Sequence, residues 1–194
     1  MLDPAAFSAT LAVTDLLETL NVPYVIGGSV ATTAHGMIRS TMDVDLVADM
    51  KIEQVASFVA ALEDQFYVDE GSIRQAIERR SSFNLIHLPT MIKVDVFLPK
   101  DRPFDQQQLA RRIAQPVSPD SSETVWILTA EDAILAKLDW FRMGGEVSER
   151  QWRDILGVMK TQREALDLAY LQLWAERLGV ADLLERALEE MAGK

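Results

Sequence analysis

The sequence contains no cysteine among its 194 residues. Disulfide bonds and metal sites built from thiolates are therefore excluded. Apolar residues occur only in short runs such as VASFVAAL, and these are far too short to span a bilayer. The first residues, MLDPAAFSAT, lack the basic segment and long apolar run of a secretory signal. These absences predict a cytoplasmic protein that does not associate with membranes.

Basic residues are also scarce, because 19 lysines and arginines stand against 30 aspartates and glutamates, giving a formal net charge of −11. A general affinity for nucleic acid depends on a basic surface that neutralises phosphates, so we expect none here. The hydrophobic fraction of 48% and the charged fraction of 25% are typical of a globular protein. The length suits one domain, or a core with a small appended helical unit.

The hydrophobic pattern changes near Leu128. Before this residue, short β-rich runs alternate with helical patterns, and FNLIHLPTMIKVDVFLP predicts a hairpin. After it, nearly every segment has a helical pattern, with predicted N-caps at Thr129 and Ser148. We therefore predict an α+β fold with a core at residues 1–128 and a C-terminal helical subdomain at residues 129–194.

Two aspartates, Asp43 and Asp45, lie one residue apart in MDVDLVA, a predicted strand. Side chains alternate along a strand, so both carboxylates point to the same face. Two like charges this close repel each other, and a divalent cation relieves the repulsion. Mg²⁺ suits such a pair best, because it takes one or two carboxylates and completes its shell with water and phosphate oxygens. A solvated edge strand would explain an isolated pair equally well, so the pair alone leaves both interpretations open.

The segment Gly27, Gly28 and Ser29 ends one predicted strand and begins a predicted helix. Glycines let the backbone approach a ligand closely, and the free N–H groups at the start of a helix favour an anion such as a phosphate. The alternative is a tight strand-to-helix turn that merely needs glycine.

A third aspartate, Asp95, lies in the apolar strand IKVDVF, where an unpaired carboxylate is costly. If this strand is a neighbour of the strand with Asp43 and Asp45, all three acids converge on one metal site. The alternative is that Asp95 lies on a solvated face of the hairpin and pairs with Lys93 or a nearby arginine.

The order of these motifs carries a resemblance to a known family. The GGS turn, the segment RSTMDVDL and the later strand with one more aspartate resemble the polymerase-beta-like nucleotidyltransferase superfamily, whose core contains a mixed sheet. The segments EDAILAKLDWFR and RQWRDI are similar to helices of the AbiEii-type and related toxin–antitoxin nucleotidyltransferases. The resemblance extends roughly from Val22 to Met159.

The resemblance implies that two Mg²⁺ ions are bound by Asp43, Asp45 and Asp95, and that Asp95 draws the proton from an acceptor hydroxyl. The catalytic set it implies is Asp43, Asp45, Asp95 and Lys137. The nucleotide-binding set it implies is Gly27, Gly28, Ser29, Arg39, Thr41, Lys137 and Asp154. Two alternatives stay open: Lys137 as an exposed helix lysine paired with Glu131 or Asp132, and Asp154 in a salt bridge between helices.

The predicted function is Mg²⁺-dependent transfer of a nucleoside monophosphate from a nucleoside triphosphate to a hydroxyl. The acceptor would be a protein, an RNA 3′ end or a small molecule, and the setting a toxin–antitoxin system. The alternative function is a non-catalytic binding or antitoxin scaffold with the same fold. The four tryptophans are expected to pack in the core or the helical subdomain: Trp126, Trp140, Trp152 and Trp174.

Overall fold

The computed structural model describes residues 4–36, 43–117 and 123–193, and these ranges form nine α-helices and one seven-stranded sheet. The helices are α1 (Pro4–Thr19), α2 (Gly28–Ala34), α3 (Val55–Leu62), α4 (Glu70–Arg79), α5 (Pro103–Arg111), α6 (Ala130–Met143), α7 (Glu149–Thr161), α8 (Leu168–Leu178) and α9 (Ala181–Ala192). The strands are β1 (Tyr24–Ile26), β2 (Asp43–Ala48), β3 (Phe66–Tyr67), β4 (Ser82–His87), β5 (Ile92–Phe97), β6 (Ile113–Pro116) and β7 (Thr124–Ile127). The predicted α+β class is confirmed.

The sheet has the strand order β3-β4-β5-β2-β1-β7-β6. β2 pairs in parallel with β5 and antiparallel with β1, and β1 pairs in parallel with β7. The sheet is therefore mixed, as predicted. The β4–β5 hairpin is confirmed as well, with Ser82 opposite Phe97 at its open end and His87 opposite Ile92 near the turn.

The two faces of the sheet are covered by different helices, because successive residues of each strand point to opposite sides. On one face, Tyr24 of β1 and Leu46 of β2 pack in a large apolar cluster with α1, α3 and α4. On the other face, Val25 and Val47 contact a smaller cluster from α2, α5 and α6. Asp45 has the same parity as Val47 and therefore lies on the α5–α6 side.

The C-terminal helices form an apolar cluster of their own. Ile134 and Leu138 of α6 pack there with Ile155 and Val158 of α7 and with residues of α8 and α9. Phe104, from the start of α5, also belongs to this cluster. The boundary between residues 128 and 129 stays a prediction.

Local signals in the sequence explain where α6 and α7 begin. The side chain of Thr129 accepts a hydrogen bond from the N–H of Asp132 at 3.2 Å, and Ser148 accepts one from the N–H of Gln151 at 3.3 Å. Each bond satisfies one of the free N–H groups of a helix start. Both predicted N-caps are confirmed.

One predicted helix is too long. The pattern FDQQQLARRIA predicts a helix through Ala114, but α5 ends at Arg111 and β6 begins at Ile113. Antiparallel pairing of β6 with β7 extends the sheet and prevails over the local helical preference. No helix in the described part of the chain is long and apolar enough to cross a membrane.

Candidate active site

The predicted acids come together because β2 and β5 are neighbours. In the parallel register, Asp45 lies opposite Asp95, and Asp43 lies opposite Lys93. All four side chains share one face of the sheet, since they occupy alternate positions on adjacent strands. The condition under which Asp95 could join Asp43 and Asp45 is therefore met.

Gly28 and Asp45 touch at the start of α2. Gly28 has a φ of +54°, and a Cβ atom at this position would collide with the carboxylate of Asp45. The N–H of Gly27 donates to the backbone carbonyl of Asp45 at 2.9 Å, so this amide is already engaged. Ser29 is buried next to them. The close approach explains why glycine is required at position 28.

The partly buried setting of Asp45 acts against its ionisation. Burial, followed by the nearby charge of Asp95, raises the pKa of the Asp45 carboxyl, and the positive charge of Lys137 opposes this shift. A carboxylate in this setting gains from any additional cation, since the cation favours the ionised form. Asp45 is half-buried, and it lines the cavity described below.

Asp95 is paired with Lys93. The Lys93 Nζ lies 2.8 Å from Asp95 Oδ2, with side-chain exposures of 44% and 22%. The hydrogen bond to Asp95 raises the pKa of the Lys93 ammonium. The alternative in which Asp95 pairs with Lys93 is therefore observed, together with the convergence of Asp95 on Asp45.

The donor set has the chemistry of a Mg²⁺ site, because adjacent Asp45 and Asp95 offer hard carboxylate oxygens. Across residues 4–36, 43–117 and 123–193, however, no three histidine, cysteine, aspartate or glutamate side chains are placed to hold a metal ion together. Asp43 is exposed at the start of β2. Two predicted nucleotide contacts, Arg39 and Thr41, lie outside the described residues.

Lys137 and Asp154 form an ion pair between α6 and α7. The Lys137 Nζ lies 2.9 Å from Asp154 Oδ2, and the two side chains are only 14% and 7% exposed. Lys137 is therefore not the exposed helix lysine of the alternative interpretation, and its partner is neither Glu131 nor Asp132. The alternative for Asp154, a salt bridge between helices, is present with Lys137 as the partner.

A cavity of about 730 Å³ lies between this face of the sheet and the C-terminal helices. Gly27, Gly28, Ser29 and Asp45 line one side, and Lys137 and Asp154 line another. The other two predicted metal-binding acids, Asp43 and Asp95, are not part of the lining. The glycine turn, the predicted metal ligand Asp45 and the Lys137–Asp154 ion pair therefore line a single cavity.

Three side chains of this region are not predicted as site residues from the sequence. Lys93 pairs with Asp95, and Arg102 binds the carboxylates of Asp105 and Asp139 from the cavity wall. Trp140 is 51% exposed, lines the cavity and packs its ring edge against Phe97. The expectation that Trp140 packs in the core or the subdomain is therefore wrong, whereas Trp152 and Trp174 are buried as expected.

No protein-family model and no curated protein sequence matches the chain. Solved structures do. An antigenic nucleotidyltransferase-like protein from Paracoccidioides brasiliensis has a TM-score of 0.59 at 19% identity, covering 97% of this chain and 94% of that one. The antibiotic-resistance factor ANT(2'')-Ia has a TM-score of 0.57 at 15% identity, covering 98% of both chains.

A candidate nucleotidyltransferase from Thermotoga maritima is similar too, with a TM-score of 0.51 at 15% identity over 79% of this chain and 96% of that chain. At these identities the similarity establishes the fold. The chain therefore has the nucleotidyltransferase fold, in agreement with the resemblance drawn from its motifs. The nearer relationship to AbiEii-type proteins stays a prediction.

Proposed function

We propose that the protein is a Mg²⁺-dependent nucleotidyltransferase that transfers a nucleoside monophosphate from a nucleoside triphosphate to a hydroxyl group. One observation carries the proposal: Asp45 and Asp95 lie directly opposite each other on adjacent strands. Asp45 also lines a cavity together with the Gly28–Ser29 turn and Lys137. These are the positions that the resemblance assigns to metal and phosphate binding, and the fold is the one in which that chemistry occurs.

In this proposal the acceptor oxygen forms a bond to the α-phosphorus, and the bond between that phosphorus and the bridging oxygen of the β-phosphate breaks. Pyrophosphate leaves, and Asp95 accepts the hydroxyl proton. Two Mg²⁺ ions held by Asp43, Asp45 and Asp95 would stabilise the charge on the attacking and leaving oxygens. The Ser29 hydroxyl and the backbone at Gly28 hold the β- and γ-phosphates.

Lys137 supplies the positive charge for the leaving pyrophosphate. Asp154 holds the ammonium at 2.9 Å in the cavity wall, so the lysine is in position before substrate binds. Fixed charges of this kind stabilise a transition state without reorganisation, and such electrostatic stabilisation is usually the largest single contribution to catalysis. Arg39 and Thr41 are further proposed nucleotide contacts.

A second candidate is a non-catalytic scaffold that uses the same fold to bind a partner, as an antitoxin would. It is favoured by the contact between Lys93 and Asp95, together with the absence, within the described ranges, of three side chains placed to hold a metal ion. For both functions, we propose that the protein is cytoplasmic and belongs to a toxin–antitoxin system.

The test is transfer of label from each α-labelled nucleoside triphosphate, with Mg²⁺, to host lysate or to small hydroxyl compounds. Asp45→Asn should abolish transfer, while Asp101→Asn, a change at an exposed acid of the β5–α5 connection, should preserve it. Label on a protein, an RNA or a small molecule identifies the acceptor class. Absence of both transfer and Mg²⁺–nucleotide binding would reject the enzyme and favour the scaffold.

A further inference from the structure

Lys93 is placed where it faces all three predicted acids. It lies opposite Asp43 in the register of β2 and β5, and it precedes Asp95 by two residues on the same face. Its Nζ contacts Asp95 Oδ2 at 2.8 Å. The charges of Asp43, Asp45 and Asp95 all act on this ammonium. Neither the sequence motifs nor the proposed reaction assigns Lys93 a role.

The contact with Lys93 occupies a carboxylate that the metal needs. A carboxylate oxygen that accepts a hydrogen bond from an ammonium at 2.8 Å is not at the same time available to a Mg²⁺ ion in that direction. Lys93 neutralises part of the charge that Asp45 and Asp95 accumulate by lying side by side.

The ammonium is also able to leave. Lys93 is 44% exposed, and a lysine has a flexible four-carbon stem, so its head reaches solvent without a change in the backbone. Ion pairs at this exposure are weak compared with buried ones. Lys137 differs in this respect, because it is 14% exposed and fixed by Asp154. Lys93 is therefore a movable cation, whereas Lys137 is a fixed one.

We propose that Lys93 is a positioning residue that occupies Asp95 in the metal-free protein and is displaced when a divalent ion binds. The inference rests on the proposed function, since it needs a metal site at Asp45 and Asp95. Lys93 keeps the adjacent acids compatible with a folded sheet before the metal arrives, and it lowers the affinity of the nucleotide-free protein for the metal. Metal binding then requires the additional phosphate ligands that the nucleotide brings.

The experiment measures Mn²⁺ binding to the full chain without nucleotide, by calorimetry and by electron paramagnetic resonance. Removing an ammonium that competes at a partly exposed carboxylate should lower the Kd of Lys93→Met about 3- to 10-fold. Lys93→Arg should restore a Kd near that of the wild type. Lys100→Met, which removes a positive charge from the wall of the neighbouring cavity, should leave the Kd unchanged.

The thermal unfolding of the same variants gives a second measurement. Lys93→Met should unfold at a lower temperature than the wild type without metal, and Mn²⁺ should raise its midpoint by more. If Lys93→Met fails to fold, Lys93→Gln replaces it. A Kd equal to or weaker than that of the wild type in a folded variant overturns the role of Lys93 alone. Failure of the wild type to bind Mn²⁺ even with nucleoside triphosphate overturns the proposed function, and the inference with it.

Discussion

At the scale of single residues, the site is defined by how closely Gly28 and Asp45 approach. Gly28 contacts the Asp45 carboxylate on one side, and Asp95 lies opposite Asp45 on the neighbouring strand. Asp45 is thereby held in one place in a partly buried setting, although its charge is unfavourable there without a cation. A residue kept at an energetic cost is a typical feature of functional sites.

Gly28→Ala should destabilise the protein and abolish transfer. The positive φ alone costs a residue with a Cβ about 1–2 kcal/mol, and the collision with Asp45 adds about 1–3 kcal/mol of overpacking strain. Gly145→Ala is the matched control, because Gly145 has a φ of +74° but no atom within 4 Å of the place that a Cβ would take. Urea unfolding and transfer assays of both variants give the comparison. Equal losses of stability would show that the collision with Asp45 is unimportant.

Lys137→Met should lower kcat about 100-fold, as expected for the loss of one fixed charge next to the leaving group. It should also lower the free energy of unfolding, because the largely buried Asp154 loses this cation. Asp154→Asn should lower kcat by less, since the ammonium stays but is no longer held. The double variant should be no worse than Lys137→Met, because Asp154 acts through the lysine. Lys160→Met, a change at an exposed lysine near the end of α7, serves as control. Additive losses would assign Asp154 a role of its own.

At the scale of helices, Arg102 connects the start of α5 to α6. Its guanidinium donates to both carboxylate oxygens of Asp105 and, at 2.8 Å, to Asp139 Oδ2. The two acids are 11% and 12% exposed at their side chains. Since α6 carries Lys137, this cluster fixes the helix that faces the acids of the sheet.

Arg102→Met should cost about 1–3 kcal/mol of unfolding free energy, because two largely buried carboxylates lose their cation. This cost is smaller than that of breaking a fully buried ion pair, since Arg102 is 38% exposed. Arg74→Met should cost less than about 0.5 kcal/mol, because its pair with Glu70 is exposed on one helix. Chemical denaturation measures both. A similar small cost for Arg102→Met would mean that the cluster does not fix α6.

Tyr170 predicts a difference in pH dependence. Burial, together with its hydrogen bond to Asp132 at 2.7 Å, raises the pKa of the Tyr170 hydroxyl well above its usual range. The folded chain then keeps a proton that the unfolded chain releases, so stability is present below about pH 10 and is lost as the pH rises further. Tyr170→Phe should be less stable than the wild type at pH 8, and the difference should shrink above pH 10.

Unfolding curves between pH 8 and pH 12 measure this difference. Tyr67→Phe, which changes a tyrosine that is 59% exposed, should follow the wild-type curve throughout. A constant difference between Tyr170→Phe and the wild type across this range would contradict the assigned cause.

The sequence predicts elements whose signals are local. The caps at Thr129 and Ser148 and the β4–β5 hairpin could be predicted because each depends on neighbouring residues. β6 could not, because its pairing with β7 decides its conformation. α4 carries a local signal of the same kind, since the side chain of Asp69 accepts from the N–H of Ser72.

For the site, the sequence indicates the acids but not their partners. That Asp95 lies beside Asp45 depends on strand order, and that Asp154 holds Lys137 depends on how α6 packs on α7. From the sequence, Lys93 is only an alternative partner for Asp95, and its relation to the other acids does not emerge. Such contacts join residues distant in the chain, or compete with one another, and no pattern of spacing determines which contact prevails.

At the scale of the molecule, the cavity connects the sheet with the C-terminal helices. Residues of β2 and residues of α6 and α7 line the same space. A ligand that fills it therefore contacts both parts of the chain, and its binding free energy is added to the stability of each.

Mg²⁺ with a nucleoside triphosphate at 100 times its Kd should stabilise the protein by about 2.7 kcal/mol. Hydrogen exchange should slow in β5 and in α7 together, and Asp45→Asn should remove both effects. Mg²⁺ without nucleotide is the control and should slow neither element to this extent. Slower exchange confined to α6 and α7 would place the ligand away from the sheet.

The position of β1 between β2 and β7 also has a consequence for synthesis on the ribosome. Ile26 pairs with Ile127, a residue made about a hundred positions later. At a translation rate of about 5–20 residues per second, one edge of β1 stays unpaired for on the order of 5–20 s before β7 is made. During that interval the edge offers unpaired N–H and C=O groups to other strands. Translational pauses between the codons of β2 and β7 should therefore favour aggregation of the nascent chain more than pauses after β7.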